Sequence, residues 1–219
     1  MTTRQILSNV MRPLVAVGCL LSTASCGSEL LRTGRAPVML VITQLDAHKG
    51  NESEFVTPLL SDVQTFVNVQ IDGQQVRVPT VFNDIGRAQI RVEVKDQSGL
   101  IGSPNPVTTS PLNAITLTRY RVTFRRSDGR NTPGVDVPFG FDGAVTSTIQ
   151  PESEGAVIFD LVRHASKLEP PLRQMIGGGG LNVISTVAEV TFFGRDQNGN
   201  EVTATGTLDV VFSDFGDES

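Results

Sequence analysis

The sequence predicts an all-β protein, an antiparallel β-sandwich with one short helix. Three observations carry that prediction. Apolar side chains recur with a period of two in several separate runs, so each run has one dry and one wet face. Asp-Gly and Asn-Gly dipeptides, which tolerate positive φ, fall between the runs and suit tight turns. One segment alone departs from this pattern toward helical spacing.

Taken in order, the first run is Val67-Asn68-Val69-Gln70-Ile71, followed by Asp72-Gly73 as a turn. Ala88-Gln89-Ile90-Arg91-Val92-Glu93-Val94-Lys95 is the cleanest, with every second residue apolar and charged or amide residues between. Tyr120-Arg121-Val122-Thr123-Phe124-Arg125 repeats the alternation, and Val135-Asp136-Val137 reads as a short strand between turns at Asp128-Gly129 and Asp142-Gly143. Val187 to Phe193 and Val202 to Phe212, the latter opening with Val202-Thr203-Ala204-Thr205, form the most convincing hairpin, joined through Asp196-Gln197-Asn198-Gly199-Asn200. Phe139, Phe141, Phe192 and Phe193 read as sandwich core in a chain with few aromatics.

The exception is Ser166-Lys167-Leu168-Glu169, which has capping-box spacing, with Leu168, Leu172 and Met175 recurring at helical intervals. Pro170 and Pro171 limit the helix to one or two turns, and Gly177-Gly178-Gly179-Gly180 ends it and reads as a mobile loop. Ser103 to Pro111, with three prolines, divides an N-terminal β unit, 38–102, from a second unit, 112–215. The first unit stands alone or completes the same sandwich as the second. In strand and turn pattern the second unit resembles an immunoglobulin-like or fibronectin-like sandwich, although the chain has no Trp and no Cys pair at the marker positions.

The N-terminus follows a different logic. Met1 to Arg12 is basic without acidic residues, Pro13 to Leu21 is apolar, and Ser22-Thr23-Ala24-Ser25 are small residues before Cys26. This stretch resembles the lipobox of bacterial lipoproteins, with Thr23 where that family prefers Leu. The resemblance implies cleavage before Cys26, a diacylglycerol on its thiol and an acyl chain such as palmitate on its new amine. It divides the chain into a signal peptide, 1–25, and a tether, 26–37, ahead of the β units. Gly27, not Asp, implies the outer membrane of a Gram-negative envelope. Ordinary secretion after cleavage near Ala24 is the competing reading, while Cys19 leaves too short an apolar core before it.

Composition narrows the function classes. The signal holds two of the 18 basic residues and none of the 23 acidic ones, so the remainder is more acidic than the formal net charge of −5. Such a body repels phosphate, which argues against nucleic acid as a partner. With two Cys in all and Cys19 in the signal, the mature chain cannot form an internal disulfide.

His48 and His164 are the only histidines to serve as a general base, and no G-x-S-x-G elbow occurs, so no catalytic set is assigned and no cofactor is expected. Asp196, Asn198 and Asn200 place oxygens at alternate positions, a weak calcium pattern that lacks the loop's later Glu; a hairpin turn accounts for the same residues. Arg119, Arg121 and Arg125 share one strand face, a basic stripe suited to an envelope protein or an anionic glycan. The expected function is a non-catalytic binding or structural module anchored to a membrane through its N-terminal lipid. The alternatives are an enzyme or enzyme subunit with a cleft near 164–180, and a secreted, unlipidated β-domain.

Overall fold

A computed structural model describes residues 35–95 and 110–215 of the 219-residue chain. Among the described residues strands make up 59% and helix 7%, so the fold is all-β. The strands are β1 (Val38–His48), β2 (Leu59–Asp62), β3 (Thr65–Ile71), β4 (Gln74–Thr80), β5 (Asp84–Val94), β6 (Ile115–Arg125), β7 (Phe141–Ile149), β8 (Glu154–Val162), β9 (Ile184–Asp196) and β10 (Glu201–Ser213). A four-residue helix α1 (His164–Lys167) follows β8, and single 3-10 turns occupy Pro111–Asn113 and Leu172–Met175.

Two sheets pack together. One has the order β1-β5-β8 and the other β2-β10-β9-β6-β7, while β3 and β4 form a separate two-stranded ribbon. Pairing is antiparallel throughout except for β2, which runs parallel to β10 over Val210–Ser213. The clean alternation in β5 places Ala88, Ile90 and Val92 inward, where all three are buried, and Arg87, Gln89 and Arg91 outward. On its other side β5 pairs with β8, Ala88 opposite Val157, so the segment before the proline-rich stretch and the segment after it contribute strands to one sheet and one core. The stretch itself, Ser103 to Pro111, lies mostly outside the described residues.

Rings stitch the sheets together. Phe159 of β8 meets Tyr120 of β6 at 5.2 Å and Phe192 of β9 at 5.3 Å between centroids, the separation at which edge and tilted ring pairs attract. Two glycines make room: a Cβ on Gly86 would come within 2.4 Å of the Phe159 ring, and one on Gly143 within 2.2 Å of Tyr120.

The registers define two poles. Val38, Val94, Ile115, Ile149 and the Asn198-Gly199 turn lie at the near pole, where the chain enters from its N-terminus. His48, Val162, Arg125, Ile184 and Phe212 lie at the far pole. The connections β6–β7 and β8–β9 therefore belong to the far pole, as does the β3–β4 ribbon between β2 and β5.

Several local expectations are corrected. Asp142-Gly143 is not a turn but the second and third residues of β7, Gly143 standing opposite Tyr120. Val135-Asp136-Val137 is not a strand: Thr132 accepts the backbone N–H of Val135 and of Asp136, which closes a turn. The helix begins earlier than the capping box implies, with Arg163 as its N-cap and Ser166 inside it. Its first free N–H, that of His164, is taken at 2.7 Å by the side-chain oxygen of Asn83, from the link between β4 and β5. Phe141 and Phe192 are core, but Phe139 is exposed and Phe193 lies on the outer sheet face.

Candidate functional site

The stripe of Arg119, Arg121 and Arg125 lies on the outer face of the five-stranded sheet, because Tyr120, Val122 and Phe124 turn inward and are buried. It is an ion-paired face. Asp142, opposite Arg121 on β7, receives both N–H groups of Arg121 at 2.8 and 3.2 Å and lies 3.4 Å from Arg119. The hydrogen bonds from Arg121 hold the Asp142 carboxyl below the usual carboxylate range. Arg119 also stacks on Phe193 at 3.9 Å from the ring centre. Arg125, at the strand's far-pole end, has no ion-pair partner among the described residues.

The two histidines both lie at the far pole and are held apart in separate local contacts. His48 ends β1, its ring meeting Phe55 edge-on at 4.7 Å. His164 opens α1, with Nδ1 2.9 Å from the Asn83 side-chain oxygen, while the Asn83 amide donates to Asp160 at 3.1 Å. His164 is thus a polar clamp between two segments, while the His48 ring packs on Phe55 and its Nδ1 lies 2.6 Å from the Lys49 carbonyl oxygen. In the β9–β10 turn the Asp196 carboxylate accepts the backbone N–H groups of Asn198 and Asn200 and the Asn200 amide at 2.8 to 2.9 Å. The turn's own donors thus occupy oxygens that a calcium ion would need, and Gly199 supplies the positive φ. Cys26 lies outside the described residues.

Two features escaped sequence reasoning. Lys167 and Asp84 are both buried and meet at 2.8 Å, with the Ser61 hydroxyl donating to the other Asp84 oxygen at 2.5 Å and the Gly50 N–H directed at the same carboxylate. Burial pushes the Asp84 carboxyl up from its ordinary value, and the contacts with Lys167, Ser61 and Gly50 oppose that rise. The other feature is the far pole itself. Of the fourteen exposed large apolar side chains among the described residues, eleven belong to the far pole or its ribbon; Met39, Leu112 and Ile158 are the exceptions. Leu181 is 91% exposed and Val135 68%, and with Pro171, Met175 and Val183 they border an open groove in the 164–184 region. No lining side chain of that groove titrates. A soluble surface seldom collects apolar groups in one region without a contact to make.

No family model, curated protein or solved structure matches the chain. What is defined is a class by architecture: an all-β protein of two packed sheets, with most of its exposed large apolar side chains among the described residues at the far pole or its ribbon.

Proposed function

We propose that the protein is an envelope lipoprotein anchored through Cys26, in the outer membrane, and that its body is a non-catalytic binding module whose contact surface is the far pole. The observation that carries this reading is polarity along the molecule. The tether enters at Val38, on the near pole, and the exposed apolar side chains gather at the opposite end. A lipid at Cys26 holds the near pole toward the bilayer and directs Leu181, Val135 and the β3–β4 ribbon toward whatever approaches from the aqueous side.

The sandwich is best described as immunoglobulin-like. In support, β1-β5-β8 face β7-β6-β9-β10, the chain crosses between sheets at β5–β6, β7–β8 and β8–β9, and β2 continues the first strand onto the edge of the second sheet, parallel to β10. The β3–β4 ribbon is an insertion between that edge and β5.

Cys26→Ala tests the anchor. The variant is expected in the soluble fraction and without label from a fatty-acid probe, while the unaltered protein pellets with membranes. Membrane association that survives Cys26→Ala sinks the lipoprotein reading.

A further inference from the structure

The β3–β4 ribbon has two unequal edges. It is a two-stranded sheet, so among the described residues each strand keeps one side without a neighbouring strand. Asp72 and Gly73 both have positive φ, as the two-residue hairpin turn requires, and Ile71 faces Gln74 across it. In such a hairpin Ile71, Val69 and Val67 exchange their hydrogen bonds with β4, so the main-chain groups of Phe66, Asn68 and Gln70 point to the free edge. By the same alternation Gln75, Arg77 and Pro79 point to the free edge of β4.

These edges are defended differently. The β4 edge is blunted, because Pro79 has no N–H to offer and Arg77 brings a charge, the two devices that stop strand addition. From Thr65 to Ile71, β3 has neither a charge nor a proline. Its residues alternate, with Val67, Val69 and Ile71 on one face; Val69 and Ile71 are 40% and 49% exposed.

We propose that the β3 edge is a pairing site for a second copy of this chain, the two β3 strands running antiparallel about Asn68. In that register Val67 lies opposite the partner's Val69, Phe66 opposite the partner's Gln70, and Asn68 opposite its own symmetry mate. Apolar meets apolar on one face, no like charges face each other, and the edge-directed N–H and C=O groups of both strands are satisfied. The occupant is taken to be a second copy because β3 complements itself in this register, and the assembly then closes at two. The resulting four-stranded sheet has β4 at both outer edges, where Pro79 and Arg77 prevent further addition, giving an isologous two-fold contact. The pairing deepens the contact-surface reading of the far pole, yet it needs only the ribbon and holds whether or not Cys26 is lipidated.

Sedimentation velocity of the full chain in detergent, from about 1 to 100 μM, the range in which modest specific pairs form, tests it. The expected result is a rise to twice the protomer mass, in Cys26→Ala as well as in the unaltered chain. Asn68→Pro removes an edge donor without touching the β3–β4 ladder, so it should remain at protomer mass with an unchanged thermal melt. Asn68→Cys, on the two-fold axis, should form a reducible dimer under mild oxidation, while Thr146→Cys on the exposed face of β7 should not. A single protomer mass across the whole series, or a dimer that Asn68→Pro leaves intact, overturns the pairing. Capture of a synthetic Thr65–Ile71 peptide by a chain that never dimerises also overturns it, and makes the edge a site for another protein's strand.

Discussion

Lys167 is the largest fully buried side chain among the described residues, and it is a cation. Its position is tolerable only because Asp84 lies 2.8 Å away and Ser61 and Gly50 share the carboxylate. Lys167→Met removes the partner and leaves Asp84 alone in a dry site; we expect a loss of about 3–5 kcal/mol in urea unfolding, the usual result of breaking a buried pair. Adding Asp84→Leu should recover much of it, since no charge then remains to be solvated. The carboxyl groups also separate by direction. Carbon NMR should find Asp84 titrating above the ordinary 3.8 and Asp142 below it. Asp84 therefore favours folding below its unfolded value, and that contribution fades as pH rises through its folded one. Asp142 works in the opposite sense, its small contribution fading as pH falls below 3.8. None of this was legible in the sequence, because the pair spans 83 residues and no local spacing marks it.

At the scale of single elements, legibility follows how local the deciding interaction is. In β6 the alternation of Tyr120, Val122 and Phe124 with polar residues is decided by the strand's own two faces, and it reads correctly. Asp142-Gly143 does not, because Gly143 answers to a ring on the neighbouring strand and not to a turn. Gly143→Ala should accordingly cost about 1–3 kcal/mol by overpacking against Tyr120, measured as a fall in the urea midpoint. Thr146→Ala, on the exposed face of the same strand, should stay within about 0.5 kcal/mol. The same reason hid the start of α1. Its capping acceptor is the Asn83 side chain, 81 residues upstream, whereas the sequence offers the nearer but unused Ser166.

For the whole molecule, the all-β architecture was readable because it is the sum of many local periodicities, while the far pole was not. Exposed apolar residues there come from the β1–β2 link and β2, the ribbon, the β6–β7 connection and the β8–β9 connection, and only the sheet order brings those segments to one end. The stripe on β6 was visible as a pattern, but the pairing of Arg119 and Arg121 with Asp142 depends on the β6–β7 register. Val135→Ser, Leu181→Ser and Val183→Ser together should leave the melting temperature nearly unchanged, since all three side chains are exposed. On the proposed contact-surface reading, they should also weaken cross-linking of the protein to neighbours in living cells. An unchanged cross-linking pattern would return the far pole to ordinary surface.

The sheet β1-β5-β8 has a consequence for the order of events during synthesis. Its first two strands are complete by Val94, yet the third, β8, ends at Val162, which stands opposite Asp84 in the ladder. A ribosome thus releases a half-built sheet with an open edge and waits for some seventy more residues before the edge can close. Throughout that interval the nascent chain has no finished core to collapse around. Under the envelope reading proposed above, late closure is an asset: the fold withholds itself until the chain has had time to leave.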